Sequence, residues 1–176
     1  MTSRVFFALW PDAAVRDALH GIAQDMHRAC GGRVTPHANL HLTVVFLGSV
    51  EHAAIHRLEA IAAQQRIAPL ELEFGATGYW RHNRIVWASP RAVPRPLRDL
   101  VSGLEQSLAE EGYELDRREY APHITLIRDA RPPAELPSLA FAWPVRDFAL
   151  VESTRGARGQ EYRVVARWAL SGSPAR

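Results

Sequence analysis

The sequence predicts one domain of mixed helices and strands, built as two similar halves. Three observations point there. Amphipathic helical runs are interspersed with short, β-branched apolar runs along all 176 residues, and no shift in composition marks a domain boundary. A unit of helix, polar loop and strand is used twice: His41 follows a helix end near Cys30 by 11 residues, and His123 follows one near Glu111 by 12. Both strands open on the same tetrad, His-x-Thr-x, as His41-Leu42-Thr43-Val44 and His123-Ile124-Thr125-Leu126. The matched spacing suggests halves related by a pseudo-twofold axis.

The elements follow in order. Residues 5–9 read as a short buried strand. Pro11 and Asp12 then start a helix, with Val15, Leu19, Ile22 and Met26 on one face. Gly31 and Gly32 end it. The polar loop RVTPHAN leads to a strand at residues 40–47, which Gly48 is expected to stop. Residues 51–66 read as a second helix with Ile55, Leu58 and Ile61 inward. Residues 70–76 alternate as a strand does, and residues 79–88 read as a hairpin turning near His82 and Asn83. Pro94 and Pro96 introduce a third helix carrying Leu97, Leu100, Val101, Leu104 and Leu108, closed by Gly112. A strand at 123–127, a Pro-rich loop ARPPAELPS, and strands at 145–152 and 162–170 complete the chain, with TRGARGQ joining the last two. The end, SGSPAR, reads as a frayed tail.

Composition removes several classes of function. No run approaches 18 apolar residues, so no membrane span is expected. The short apolar start before Pro11 is a strand and not a signal peptide, which predicts a cytoplasmic location. The net charge of +2 permits an anionic substrate without demanding one. All 21 basic residues are Arg, so mechanisms through a P-loop lysine, a Schiff base or lysyl-adenylate ligation are excluded. Anion binding is left to Arg forks, hydroxyls, imidazoles and backbone N–H groups. Cys30 is the single cysteine, expected to be buried and inert.

The chemistry concentrates in the doubled tetrad. Eight His and six Thr in 176 positions give about 0.3 His-x-Thr triplets by chance, and two occur in matched contexts. Side chains at i and i+2 of a strand point the same way, so each copy offers an imidazole beside a hydroxyl. With an ordinary pKa near 6.5, one imidazole can take a proton while the other gives one. Hydroxyls can donate to non-bridging phosphoryl oxygens. Two such copies brought together would suit in-line hydrolysis of a phosphodiester without a metal or other cofactor. His52 and His56 stand at i and i+4, but HAAIH lacks the Glu of a zinc-protease helix. They read as a solvated or partner-facing pair, and GARG reads as a hairpin turn rather than a phosphate loop.

These stretches resemble the two-histidine (2H) phosphoesterases, and within them the RNA 2′,3′-cyclic phosphodiesterases once described as 2′-5′ RNA ligases. The matching runs are RVFFALWPD, NLHLTVVFLG, GYWRHNRIVW, PHITLIRDA and LVESTRGARGQEYRVVARWAL. The resemblance implies an α+β fold of two lobes, each an antiparallel sheet with helices outside, about a central cleft. It also implies roles. His41 would donate the proton and His123 accept it, Thr43 and Thr125 would hold the phosphate, and Arg128 would join them. Strict alternation puts Arg128 on the face opposite His123, so a bulge or strand end must re-aim it. The lead-in Tyr120-Ala121-Pro122 departs from the family's FxPHITL pattern. Tyr120, Phe7 or Trp80 could stack on a base. The implied substrate is an RNA or oligonucleotide end carrying a 2′,3′-cyclic phosphate, opened to a 2′-phosphate by a monomer. The alternatives are a small cyclic nucleotide or ADP-ribose cyclic phosphate as substrate, or an RNA-end binding protein that turns over poorly.

Overall fold

The structure is a computed structural model that describes residues 2–116, 118–156 and 159–172. Its elements in chain order are β1 (Thr2–Leu9), α1 (Ala13–Cys30), β2 (Arg33–Val34), β3 (Leu42–Glu51), α2 (Ile55–Ala63), β4 (Leu70–Trp80), β5 (Ile85–Pro90), α3 (Arg95–Glu110), β6 (Ile124–Arg128), β7 (Phe141–Val145), β8 (Asp147–Gly156) and β9 (Gly159–Ala169). Short 3₁₀ turns, His37–Asn39 and His52–Ala54, precede β3 and α2.

All strand pairs are antiparallel, and the spatial order is β7-β4-β5-β6-β3-β1-β8-β9, with β2 added beside β6. The expected two sheets are therefore present but joined. Among the described residues the join is one pair, Leu42 with Ile124. On one side lie β3, β1, β8 and β9; on the other lie β6, β5, β4 and β7. The symmetry is visible in the wiring: β1-α1-β3 and β5-α3-β6 are matching units whose outer strands pair directly. The helices cross over. α1 packs on β2 and β6 of the other lobe, whereas α3 packs on β3 and α2. Each lobe thus needs the other's helix to cover its sheet, which ties the two halves into one core.

Local chemistry explains the elements. Asp12 is the N-cap of α1, its carboxylate accepting from the Val15 N–H at 3.0 Å, so Pro11 lies outside the first turn. Gly31 (φ 61°) ends α1 with its N–H donated to the His27 carbonyl, and Gly32 (φ 87°) lets the chain pass close to β6. A Cβ at Gly32 would lie 2.6 Å from the Arg128 carbonyl oxygen. The five apolar positions expected inward on α3 are all buried.

Some boundaries differ from the sequence reading. Gly48 does not stop β3; it sits at φ 77° beside a register shift, and the strand continues to Glu51. A bulge there turns the strand without ending it. The helix expected at 51–66 is reduced to Ile55–Ala63, because residues 52–54 form the 3₁₀ turn. β7 was not anticipated, since Pro144 falls inside it; β7 is an edge strand, where a missing N–H is tolerated. The tail does not fray at once, because the Gly172 N–H donates to the Ile67 carbonyl at 2.9 Å. Residues 173–176 of the expected tail, and Ala157 and Arg158 of the expected turn, lie outside the described residues.

Candidate active site at the seam between the lobes

The Leu42–Ile124 bridge between lobes sits immediately after each histidine. Leu42 and Ile124 are fully buried and point into the core, so the residues on either side point the other way, into the cleft. In an antiparallel pair this geometry sets His41 across from Thr125 and Thr43 across from His123. The two motifs are thereby interleaved. The strands part after one pair, which opens the cleft.

Each ring is fixed in the same manner. Nδ1–H of His41 donates to the Asn39 carbonyl at 2.7 Å, and Nδ1–H of His123 donates to the Ala121 carbonyl at 2.8 Å. Both bonds run two residues back along the chain. A ring that donates through Nδ1 keeps Nε2 for chemistry.

A bulge re-aims Arg128. On β5, Val86 and Trp87 are consecutive, but their partners on β6 are Ile127 and Thr125. The extra residue, Leu126, shifts the face, and Leu126 and Ile127 are both buried. Arg128 then falls on the cleft side with Thr125. β3 carries the same device: Phe7 and Ala8 pair with Val45 and Thr43, leaving Val44 extra. The residue three after Thr43 is Phe46, which is 45% exposed.

Two cavities meet at this seam. The larger, about 490 Å³, is lined by Thr43, Phe46, Trp80, Tyr120, His123, Thr125 and Arg128 among others. The smaller, about 180 Å³, is lined by Thr35, Asn39, His41, Tyr162 and again Thr125 and Arg128. The five expected site residues, His41, Thr43, His123, Thr125 and Arg128, are thus gathered around one space. The imidazoles are electrostatically distinct. Burial pulls His41 down to about 4, with Arg128, His123 and Arg16 adding to the effect against the Asn39 carbonyl. Phe6, Trp10 and Tyr162 surround it, with ring centroids 4.8, 5.5 and 5.1 Å away. His123 is also lowered, by burial first and Arg128 after, and meets the edge of Trp80 at 4.5 Å.

The other expectations sort clearly. Phe7 is 0% exposed and belongs to the core, so it cannot stack on a base. Tyr120 donates its hydroxyl to the Thr43 carbonyl at 3.0 Å and lines the larger cavity. Cys30 is buried, its thiol raised by burial and donated to the Met26 carbonyl. His52 and His56 part ways, His52 to the Ser3 hydroxyl and His56 to Glu59. Phe46, Trp10 and Tyr162 escaped the sequence reading. For Phe46 a signal existed: it has the offset from Thr43 that Arg128 has from Thr125.

The chain is similar in sequence and in fold to known proteins. The pattern of the 2′-5′ RNA ligase superfamily matches residues 11–157. An RNA 2′,3′-cyclic phosphodiesterase of Escherichia coli (strain K12) is 32% identical over 170 residues, covering 96% of this chain and 97% of that protein. One of Thermus thermophilus is 32% identical, covering 98% of this chain and 93% of that protein. Among solved structures, Escherichia coli LigT complexed with 3′-AMP superposes with a TM-score of 0.87 at 33% identity, covering 97% of this chain and 99% of that one.

Proposed function

Because the chain belongs to the 2′-5′ RNA ligase superfamily, we propose that it hydrolyses RNA 2′,3′-cyclic phosphodiester ends to 2′-phosphomonoesters, using His41 and His123 as its acid–base pair. The observation that carries this reading is the interleaving at the Leu42–Ile124 bridge, where each imidazole stands beside the other motif's hydroxyl. That arrangement suits a phosphorus atom between two proton-transfer groups.

The steps follow from the residues. Thr43, Thr125 and Arg128 donate to the non-bridging oxygens, where transition-state charge is spread. Nε2 of His123 takes a proton from water as its oxygen bonds to phosphorus. Nε2–H of protonated His41 gives its proton to the 3′-oxygen as that P–O bond breaks. In the free protein burial and Arg128 disfavour the charged form of both rings. The bound anion reverses the Arg128 contribution, so substrate itself promotes protonation of the donor. Phe46 and Trp80 offer aromatic surface for the terminal base. No step requires a metal.

The test is hydrolysis of a nucleoside 2′,3′-cyclic phosphate in EDTA, with the product isomer identified. Retained turnover and a 2′-phosphate are expected. Activity abolished by chelation, or a 3′-phosphate product, would overturn the metal-free mechanism or the donor assignment respectively.

A further inference from the structure

The smaller cavity shares His41, Thr125 and Arg128 with the site of the reacting phosphate and runs past them to Thr35 and Arg33. We propose that its Thr35 and Arg33 end is a second anion subsite, taking the phosphodiester on the 5′ side of the terminal nucleotide, so that the end of an RNA strand is favoured over a free mononucleotide. This rests on the phosphodiesterase reading and adds to it a subsite that selects strand ends.

Charge decides between the two ways out of the cleft. The larger cavity carries Glu105, Asp116 and Glu119 on its wall, and Arg118 there is tied to Asp116. A polyanionic strand leaving that way would meet carboxylates, whereas a base with its sugar, uncharged and partly apolar, would not be opposed. The smaller cavity has no Asp or Glu among its described lining residues and has Arg33 and Arg128. Its volume, about 180 Å³ against about 490 Å³, also suits a phosphate better than a nucleoside.

The donors are in place. Thr35 holds its backbone by giving its N–H to the Leu126 carbonyl at 2.8 Å. Its hydroxyl is buried and has no hydrogen-bond partner among the described residues. A buried hydroxyl without a partner is costly and calls for an acceptor. Arg33 is pre-oriented: Nε and Nη2 donate to Asp129 at 2.9 and 2.6 Å, which leaves Nη1 without a partner among the described residues. Asp129 is shared with Arg84 at 3.2 Å, so Arg33, Arg84 and Arg128 outweigh the one carboxylate at this corner. Thr125 and Arg128 line both cavities, so a strand held in one continues directly into the other.

Adenosine 2′,3′-cyclic phosphate and the same compound bearing a 5′-phosphate test this. Wild-type kcat/KM should favour the 5′-phosphorylated substrate by about tenfold, as one charge-assisted phosphate contact provides. That ratio should fall toward one in Thr35→Val, in Arg33→Gln and at high salt. A wild-type ratio of one with both substrates hydrolysed would overturn the subsite alone. A preference that survives both variants, or variants that slow both substrates equally, would overturn it too. No hydrolysis of either substrate would overturn the phosphodiesterase reading and the subsite with it.

Discussion

His41 and His123 occupy equivalent places in the two lobes, with the same backbone carbonyl two residues back and the same bulge after the following Thr. Their surroundings are not equivalent. His41 is boxed by Phe6, Trp10 and Tyr162, while His123 faces the edge of Trp80 and the open cavity. Three residues after each Thr, one lobe has Phe46 and the other Arg128. Beside each Thr on the adjacent strand, one lobe has Ala8 and the other Trp87. Matching backbone gives the two motifs the same local geometry, and different side chains at matching positions give them different surroundings. At that position one lobe presents an apolar ring and the other a cation, which in the proposed mechanism serves the phosphate.

The comparison breaks most severely when either histidine is removed. Next comes Arg128→Ala, which should lower kcat/KM for a cyclic phosphate by about 10²-fold, because a donor to the transition-state charge is lost. Phe46→Ala should cost less, on the order of tenfold and chiefly in KM, as loss of one base–aromatic contact does. If Phe46→Ala were the more damaging of the two under saturating substrate, the division of labour proposed here would be reversed.

A smaller effect concerns pH and stability. The folded-state pKa of His41 is about 4, below its ordinary value of about 6.5. Between these values the unfolded chain binds the proton and the folded one resists it, so stability is full above about 6.5 and falls as pH drops toward 4. Denaturant unfolding at pH 7 and at pH 4.5 should show a drop that His41→Asn reduces. Adding inorganic phosphate should raise the His41 titration midpoint followed by NMR. An unchanged midpoint would contradict anion-assisted protonation.

Smallest is the effect of Gly78→Ala. A Cβ there would overlap the Trp87 ring, which packs on Trp80 at 5.5 Å, which in turn meets His123. A modest loss of kcat with a small rise in KM is expected, measured by steady-state kinetics.

Much of this was legible in the chain itself. The tetrads could be found because strand alternation is local: a His and a Thr two apart share a face wherever the strand lies. The need for a bulge before Arg128 followed from the same rule, and Leu126 supplies it. The aromatic box was not legible, because Phe6, Trp10 and Tyr162 reach His41 from β1, the β1–α1 connection and β9, a meeting that only the tertiary fold arranges. Gly48 misled because a glycine at positive φ serves a bulge as well as a strand end. The joining of two expected sheets was hidden for a related reason, since one backbone bridge leaves no pattern in the sequence.

The central claim is that the two histidines act on opposite sides of one phosphorus. Turnover of an RNA 2′,3′-cyclic phosphate end by His41→Ala, His123→Ala and the double variant tests it most directly. Each single change should lower kcat by about 10² or more with the fold intact, and the double should be scarcely worse than either, because groups that act as a unit are not additive. Near wild-type turnover in either single variant would contradict the claim.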